Sequence, residues 1–329
     1  MSTSPLTSER TAPGDLPSPR PALAPAPGTT PTVSVVVPAH DEERPLARTL
    51  AALAAQGGRE VPEVVVVANG CTDATAEVAR AAGARVVELA QPSKAAALSA
   101  GDAAATAFPR VYLDADIRLA PGTLDALAAT LRRDDVLVAS PRVVFDVSAS
   151  SWPVRAFYAV YREIPYVTDG LVGLGVYGMS ERGRARFGDF PAVTSDDLFV
   201  QRTFHRSERA TSDGEFVVSA PRDLRNLLKV RTRTASGNTE LSRLPAAADD
   251  AGGRPVPSGP GDGVDGGGGG DRAAFDRTTT TTTTALLRLA TTRPRLVPSV
   301  AVYTAVTVVS RVLARRRRAS AWQRDTSTR

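Results

Sequence analysis

The chain has few of the side chains that build disulfide frameworks and zinc sites. Its 329 residues include one cysteine, Cys71, and two histidines, His40 and His205. A single cysteine excludes an intramolecular disulfide framework and any multi-cysteine metal site, and it is consistent with a cytoplasmic location. With two imidazoles in the whole chain, a zinc site of the usual histidine and cysteine type is not expected, so oxygen atoms are the metal ligands on offer.

Apolar runs are missing from two long segments. Residues 1–31 consist mainly of Pro, Ala, Ser and Thr, which predicts a disordered arm and excludes a core element or a secretory signal. Residues 245–284 contain five consecutive glycines at 266–270 and seven consecutive threonines at 278–284, which predicts a disordered linker. The remaining patterned stretch, residues 32–244, has the length of one large domain.

Excess positive charge is absent from the domain itself. The whole chain has a net charge of +5. The tail, residues 285–329, carries ten Arg and one Asp, a net of +9, which leaves −4 for residues 1–284. The basic balance therefore belongs to the tail, and the domain lacks the charge signature of a nucleic-acid-binding protein.

The basic tail contains an apolar stretch that is short for a membrane span. Residues 296–310 are mostly apolar, but these 15 residues fall below the roughly 20 that cross the hydrocarbon layer. Helical spacing places a polar stripe beside an apolar one. The polar stripe consists of Thr304, Thr307, Arg311, Arg315 and Arg318. The apolar stripe consists of Val302, Val306, Val309 and Leu313. The pattern favours two structures equally: a helix lying in the interface of an anionic membrane, and a helix docked on the domain.

Apolar runs alternate with helical patterns through the first half of the domain. Four runs predict strands, at 33–37, 64–67, 85–88 and 111–113. Helical patterns lie between them at 42–55, 72–82 and 93–107, with Thr72 and Ser93 placed to cap the second and third. This alternation predicts an α/β fold with a Rossmann-like, mainly parallel sheet and helices on both faces.

Polar residues follow three of the predicted strands. Asp41 and Asn69 come after the first two, and Asp114-Ala115-Asp116 ends the fourth. In an open parallel sheet the carboxyl ends of the strands meet at the edge where ligands bind. Paired carboxylates there supply hard oxygen ligands for a divalent cation that holds a diphosphate. Each group also has an ordinary structural explanation, since acids favour helix N-termini and Asn and Asp favour turns.

Together these segments resemble the nucleotide-binding half of family 2 glycosyltransferases of the GT-A fold. The resemblance is carried by residues 35–43 (Val-Val-Val-Pro-Ala-His-Asp-Glu-Glu), residues 69–73 (Asn-Gly-Cys-Thr-Asp), Lys94 and Asp114-Ala115-Asp116. It extends to about residue 244. The resemblance implies a nucleotide-binding half at 32–140 and an acceptor half at 141–244.

The resemblance also implies a role for each matching residue. The residues expected near the donor nucleotide are Pro38, Ala39, Asp41, Asn69, Asp73, Lys94, Asp114 and Ala115. Asp114 is expected beside the ribose, and Asp116 is expected to bind Mg²⁺ or Mn²⁺. The family usually has an acid where this chain has Asn69, so analogy does not assign the nucleotide of the donor.

A second acidic pair lies in the acceptor half. Residues 195–200, Ser-Asp-Asp-Leu-Phe-Val, resemble the family's ED-x-x-L motif with Asp in place of Glu. The resemblance implies that Asp197 is the general base and Asp196 its companion. Two neighbouring carboxylates can work in this way, because like charge and burial raise one pKa and prepare that group to accept a proton. The alternative is a helix N-cap, for which Ser195 and Asp196 are both suited.

Basic residues follow in the region where related enzymes often carry a Q-x-x-R-W motif. They are Arg222, Arg225, Lys229, Arg231 and Arg233. The tryptophan is absent, which argues for transfer of a single sugar rather than polymer synthesis. Arg231 and Arg233 are candidate contacts to the donor phosphates or the acceptor, and a solvated basic face is the alternative.

Two other nucleotide-binding classes fit less well. Residues 173–178, Gly-Leu-Gly-Val-Tyr-Gly, satisfy the G-x-G-x-x-G pattern, but an NAD-dependent oxidoreductase needs it between the first strand and first helix of a βαβ unit. Here the glycines follow the parallel units. A sugar-nucleotide pyrophosphorylase should have a glycine-rich loop after the first strand, where this chain has Pro38-Ala39-His40-Asp41.

The expected activity is metal-dependent transfer of a sugar from a nucleotide-diphospho-sugar to a hydroxyl of a glycan, lipid or small molecule. Direct displacement would invert the anomeric carbon. The expected location is cytoplasmic, with peripheral attachment to the inner face of the membrane through the tail. The competing interpretation is a non-catalytic nucleotide-sugar or lipid-binding module, because Asn69 and the missing tryptophan depart from the family pattern.

Overall fold

The computed structural model describes residues 23–24, 26, 28–168, 174–193, 195–241 and 282–316. Most of the predicted arm (1–31) and linker (245–284), together with Gly173 and residues 317–329, lie outside these ranges. Leu23 was assigned to the disordered arm, but it is buried in the core. Its N–H donates to the carbonyl oxygen of Ala82 at 2.9 Å, so contact with the domain begins before residue 32.

The described strands form one mixed sheet. They are β1 (Val33–Ala39), β2 (Pro62–Asn69), β3 (Arg85–Leu89), β4 (Arg110–Leu113), β5 (Arg118–Leu119), β6 (Val138–Asp146), β7 (Val176–Met179) and β8 (Arg209–Ser219). Their order across the sheet is β3-β2-β1-β4-β7-β6-β8-β5. Strands β7 and β5 run antiparallel to their neighbours, and the other pairings are parallel. The prediction of an α/β fold with a mainly parallel sheet is confirmed.

The described helices connect and cover these strands. They are α1 (Glu43–Ala54), α2 (Thr75–Ala81), α3 (Lys94–Ala104), α4 (Thr123–Leu131), α5 (Trp152–Tyr161), α6 (Pro165–Thr168), α7 (Glu181–Arg184), α8 (Asp196–Thr203), α9 (Leu224–Leu241), α10 (282–292) and α11 (Val297–Arg316). Helix α10 begins within the last three residues of the predicted linker.

Alternate residues of β1 face opposite sides of the sheet, as the two-residue repeat of a strand requires. Val35 and Val37 pack in one apolar cluster with Leu50 of α1. Val36 points to the other face and packs in a second cluster with Leu98 of α3. All of these side chains are almost fully buried, so helices cover the sheet on both faces. The carboxyl edge of the sheet is therefore the place where a ligand can reach it.

The two predicted helix caps have different outcomes. Ser93 caps α3 as expected, since its side-chain oxygen accepts the N–H of Ala96 at 3.2 Å. Thr72 does not cap α2, because its N–H and hydroxyl both donate to Asp41. Helix α2 begins instead at Thr75, whose N–H donates to the Asp73 carboxylate at 3.0 Å.

Helix α11 packs against α5 and α9. Tyr303 stacks on Phe157 of α5 with ring centroids 5.1 Å apart, and Val306 is buried in the same cluster. Of the two structures that the sequence favours for the tail, the structure shows α11 docked on the domain. Val306 is therefore not available to lipid. The helical segment Pro294–Arg316 has 23 residues, so it is longer than the apolar stretch suggested and meets the length and composition of a membrane span.

Candidate functional site

A cavity of about 330 Å³ lies at the carboxyl end of β4. Both predicted acidic pairs contribute to its wall through Asp114, Asp116, Asp196 and Asp197, and Lys94 lies between the pairs. The cavity therefore joins the two predicted halves of the domain. We call it the acidic pocket.

Lys94 holds the two acidic pairs together. Its Nζ lies 2.9 Å from Asp114 Oδ1 and 2.8 Å from Asp196 Oδ1. Burial acts to lower the pKa of Lys94, but attraction to the two carboxylates outweighs it, so the pKa is raised above its ordinary value and the ammonium stays charged. A cation at this point lets the carboxylates approach one another without strong repulsion.

Asn69 positions this lysine. The side-chain oxygen of Asn69, at the end of β2, accepts the N–H of Ser93 at 2.9 Å, and Lys94 is the next residue. Asn69 is fully buried, which suits a residue that fixes a backbone turn. The sequence pattern placed Asn69 near the nucleotide, whereas its side-chain oxygen in the structure serves the start of α3.

Asp196 is anchored on both carboxylate oxygens. Oδ1 pairs with Lys94, and Oδ2 accepts the hydroxyl of Tyr177 at 3.0 Å. Burial, followed by the charge of Asp196, raises the pKa of Tyr177 well above its ordinary value, so the phenol remains a donor. The Tyr177 ring stacks on Tyr112 at 5.1 Å. Both carboxylate oxygens of Asp196 are thus occupied by contacts within the protein.

Asp197 has the opposite character. Burial, followed by repulsion from Asp196, raises the pKa of Asp197 to about 7. Its Oδ1 accepts the N–H of Leu198 at 2.8 Å. A carboxyl group that titrates near neutral pH is chemically suited to exchange a proton with a ligand.

Solvent exposure alternates along the Asp-x-Asp segment. Asp114, Asp116 and Arg118 line the acidic pocket and reach solvent, whereas the intervening Ala115 and Ile117 are buried, although Ile117 also contributes to the pocket wall. Sequence reasoning did not select Arg118, although its two-residue spacing from Asp116 was a usable signal. Ala115 faces away from the pocket, and its carbonyl oxygen accepts the hydroxyl of Thr49 at 2.7 Å.

Gly175 closes the pocket beside Asp114. It adopts φ +97°, and a Cβ there would lie 2.7 Å from Ile117 and 3.2 Å from Asp114 Oδ2, so a side chain would push into the acid. Its carbonyl oxygen accepts the N–H of Asp114 at 2.7 Å. Gly178 lies within the antiparallel strand β7. Gly175 therefore allows close packing beside the pocket, and Gly178 lies in a strand rather than in the strand-to-helix turn of a dinucleotide site.

Further side chains complete the pocket wall, and of these only Arg233 was a candidate from the sequence. Arg48 of α1 and Arg233 of α9 line it with Arg118, and Tyr158 and Tyr161 of α5 also form part of the wall. Arginines suit phosphate or carboxylate groups, and aromatic rings suit the apolar face of a sugar. No motif pointed to Arg48 or the tyrosines, because α1 and α5 approach the pocket only in the folded chain.

The two candidate arginines of α9 have different positions. Arg233 lines the acidic pocket, as expected for a ligand contact. Arg231 instead places its guanidinium 4.9 Å from the ring centre of Tyr161 and 5.6 Å from that of Phe157. It donates to the Tyr161 hydroxyl at 3.4 Å. Residues two apart point to different sides of a helix, so Arg231 supports the aromatic cluster while Arg233 faces the pocket.

The remaining predicted nucleotide residues lie outside the pocket lining. Pro38 and Ala39 are buried at the end of β1. Asp41 adopts φ +50° and accepts the N–H of Thr72 at 2.6 Å. The carboxylate of Asp73 accepts N–H groups from Glu43 and Thr75, so it ties the starts of α1 and α2 together. These groups form a separate cluster at the ends of β1 and β2.

The donor set of the acidic pocket fits a hard cation. It offers carboxylate oxygens, which Mg²⁺ and Mn²⁺ prefer, and Asp116 is exposed to the cavity. Asp114 and Asp196 are already paired with Lys94. A cation held by Asp116 would therefore need further oxygens from a ligand, as magnesium sites that bind substrate phosphates commonly do.

Comparison with known proteins is informative for the first half of the domain. Residues 34–184 match the family model described as Glycosyl transferase family 2. Proteins from Mycobacterium bovis and Mycobacterium tuberculosis, each named an uncharacterized glycosyltransferase, are 39% identical to this chain over 121 residues. That alignment covers 37% of this chain and 52% of each relative. The chain thus spans about half the length of the curated relatives it matches.

A solved structure is similar over most of the chain. It is the mannosyltransferase PcManGT from Pyrobaculum calidifontis in complex with GDP-Man and Mn²⁺, with a TM-score of 0.58 and 22% identity over 89% of each chain. At this identity the likeness concerns the fold. It shows that the chain has the GT-A glycosyltransferase fold.

Proposed function

We propose that the chain transfers a sugar from a nucleotide-diphospho-sugar to an acceptor hydroxyl, as the match of residues 34–184 to the Glycosyl transferase family 2 model suggests. The observation that carries the proposal is the acidic pocket, in which Asp116 and the high-pKa Asp197 face one cavity and Lys94 joins their neighbours. One side of such a pocket suits a leaving diphosphate and the other suits an attacking hydroxyl.

Asp116 would hold Mg²⁺ or Mn²⁺. When bound, the cation offsets the charge that develops on the diphosphate as the bond to the sugar breaks. Lys94 and the pocket-lining Arg48, Arg118 and Arg233 add positive charge to the same cavity. The mannosyltransferase with a similar fold was solved with GDP-Man and Mn²⁺, which supports a nucleotide-sugar and this class of cation.

Asp197 would act as the general base. In its ionised form it accepts the proton of the acceptor hydroxyl while that oxygen attacks the anomeric carbon. The bond from that carbon to the diphosphate oxygen breaks in the same step, so the configuration inverts. Asp196 positions its neighbour and keeps Lys94 in place, because both of its oxygens are already bound within the protein. The expected ribose contact of Asp114 belongs to the same proposal, with Lys94 fixing its carboxylate.

Helix α11 would attach the chain to the inner face of a membrane. Docking of α11 leaves an exposed apolar strip on its far side, formed by Val308, Val309, Val312 and Leu313. Arg311, Arg315 and Arg316 lie beside it on the same helix. An apolar strip flanked by arginines suits the surface of an anionic bilayer.

Flotation with vesicles tests the membrane contact. The full chain should float with anionic phosphatidylserine vesicles and not with neutral ones, and Val308→Glu with Val312→Glu should abolish flotation. Val144→Glu changes an exposed valine on β6 and should have no effect. Equal flotation of the α11 double variant and the wild type would contradict the membrane contact.

A thermal-shift screen tests donor binding. UDP-, GDP- and dTDP-sugars are tested with and without Mn²⁺, because a ligand that binds the native state raises the unfolding temperature. One donor should stabilise the wild type only when Mn²⁺ is present, and Asp116→Asn should lose that shift. The control is Asp213→Asn, which alters a carboxylate that is 98% exposed. Shifts that do not depend on Mn²⁺ or on Asp116 would overturn the metal assignment.

A further inference from the structure

We propose that His40, Asp41 and Cys71 form a second cation site, suited to Zn²⁺ or a similar d-block ion and separate from the acidic pocket. One ligand atom from each of the three residues lies within 4.8 Å of the others. The residues come from two turns, since His40 and Asp41 follow β1 and Cys71 follows β2. None of the three lines the acidic pocket.

Cysteine and histidine are rare in this chain, so their proximity in the fold is informative. The chain has one cysteine and two histidines, and the fold brings the cysteine beside one of those histidines. Sequence analysis predicted no site of this type, because Cys71 and His40 are 31 positions apart and neither lies in a spaced metal motif. Parallel pairing of β1 with β2 is what brings the two turns together.

A backbone contact fixes the imidazole of His40. Its Nδ1 lies 2.8 Å from the carbonyl oxygen of Asn69. A carbonyl oxygen can only accept, so Nδ1 carries the hydrogen of this contact and Nε2 is the ring nitrogen on the other side. Histidines that bind metals usually donate their other ring N–H to a carbonyl or carboxylate, which fixes the ring.

Backbone and side-chain contacts also fix the other two ligands. The Asp41 N–H donates to Cys71 Sγ at 3.4 Å, and the thiol lies 3.5 Å from the carbonyl oxygen of Ala39. Asp41 Oδ1 accepts both the N–H and the hydroxyl of Thr72, at 2.6 and 3.1 Å. Asp41 also has the left-handed φ of +50°, so the backbone is held in the conformation that turns its N–H toward the sulfur.

The donor set selects a different class of cation from the acidic pocket. One nitrogen, one sulfur and one carboxylate oxygen suit Zn²⁺ or Co²⁺, whereas Mg²⁺ and Mn²⁺ prefer oxygen alone. Ligand atoms of a tetrahedral zinc site lie roughly 3.5 Å apart, so closure requires side-chain movements of about 1 Å. On binding, the Cys71 S–H bond breaks, a metal–sulfur bond forms and the proton is released to solvent. Water would complete the coordination.

Competition with the donor follows from the location. The site includes Asp41 and adjoins Ala39, two residues that the family resemblance places near the nucleotide of the donor. Zn²⁺ bound there should therefore raise the apparent KM for the nucleotide-sugar. This consequence rests on the proposed function, whereas the cation site does not.

Cobalt titration of the full chain tests the site directly. A thiolate bound to Co²⁺ gives a charge-transfer band in the near ultraviolet, and Cys71 is the only source of such a band. We expect saturation at one equivalent, displacement by Zn²⁺ and loss of the band in Cys71→Ser. His40→Gln should weaken Co²⁺ binding at least about tenfold. The matched control, His205→Gln, should bind Co²⁺ like the wild type.

A second measurement needs no variant and so does not depend on a variant folding. Zn²⁺ should slow alkylation of Cys71 at least about tenfold, and Mg²⁺ should leave the alkylation rate unchanged. Absence of the cobalt band, equal Co²⁺ affinity in His40→Gln and wild type, or equal alkylation with and without Zn²⁺ would each overturn the proposal. A cobalt band in a chain that never consumes a nucleotide-sugar would refute the proposed function and leave the cation site standing.

Discussion

Lys94 and Asp196 form an ion pair of 2.8 Å between the two halves of the domain. Lys94 begins α3, beside the nucleotide-binding strands, and Asp196 begins α8 in the acceptor half. The same ammonium lies 2.9 Å from Asp114. The ammonium group of Lys94 therefore sets the spacing between the Asp-x-Asp segment and the acidic pair that is proposed to act on the acceptor.

Replacement of the Lys94 ammonium group should lower both the stability of the chain and the rate of sugar transfer. Lys94→Met leaves Asp196, which is 8% exposed, without its charged partner, so the free energy of unfolding should fall by about 3 kcal/mol. Sugar transfer should fall about 100-fold, because the two acids lose their fixed spacing. Urea unfolding and donor turnover are the measurements.

Lys229 provides the matched control for this change. It is the other lysine of the chain and is exposed on α9. Lys229→Met should change unfolding free energy by less than about 0.5 kcal/mol. Equal effects of the two substitutions would mean that Lys94 contributes no more than surface charge.

Asp197 should reduce stability as the pH rises. Its pKa is raised from 3.8 to about 7 in the folded chain, so the folded state holds a proton that the unfolded state releases. Stability of the wild type should therefore fall from about pH 4 to about pH 7, by up to about 4 kcal/mol from this group. Asp197→Asn removes that dependence, so the variant should gain stability relative to wild type over this range.

Urea unfolding at pH 5 and pH 8 measures this difference. The stability advantage of Asp197→Asn should be larger at pH 8. The control is Asp213→Asn, whose side chain is 98% exposed and which should show no such pH trend. An advantage that stays constant or shrinks between the two pH values would contradict the raised pKa.

Asp102 is predicted to be a purely structural acid. Its carboxylate accepts hydrogen bonds from Arg110, from the Tyr112 hydroxyl and from Arg184 Nε, the last at 2.9 Å. Asp102→Asn puts an amide donor beside arginine donors that are mostly buried, so unfolding free energy should fall by about 2 kcal/mol. Chemical unfolding measures the loss. Donor affinity of the folded variant should be unchanged, and a selective loss of donor binding would show that Asp102 serves the site.

Tyr303 should hold α11 on the domain. The ring is 5% exposed and stacks on Phe157, so Tyr303→Ala should cost about 3 kcal/mol of unfolding free energy. Val308→Ala, at a residue 53% exposed on the same helix, should cost less than about 0.5 kcal/mol. Amide hydrogen exchange in α11 should rise only in Tyr303→Ala. Rapid exchange of α11 in the wild type would mean that the helix does not dock in solution.

Local patterns were sufficient for the nucleotide-binding half. The β-branched run of β1 and the alternation after Asp114 follow from short-range rules, so the parallel strands and the acidic edge could be predicted. The sequence resemblance also selected the pair Asp196-Asp197, and the fold places it beside Asp116 in one cavity.

Contacts between distant segments account for what was missed. Nothing near Lys94 in the sequence indicates Asp196, and nothing near Tyr303 indicates Phe157, because these pairs meet only when α3 meets α8 and α11 meets α5. The sequence left two structures open for α11 for the same reason, because an apolar helix face can pack against lipid or against another helix. The contact of buried Asn69 with Ser93, 24 positions along the chain, was likewise not visible in the local sequence.

The pH dependence of donor turnover in wild type and Asp197→Asn is the most direct test of the proposed mechanism. With Mn²⁺ present, kcat/KM for nucleoside diphosphate release should fall below about pH 7 as Asp197 becomes protonated. Asp197→Asn should lower turnover by about 10² to 10⁴ and remove this acid limb. The product should carry the inverted anomer. Wild-type turnover in Asp197→Asn, or a product with retained configuration, would contradict direct displacement with Asp197 as the base.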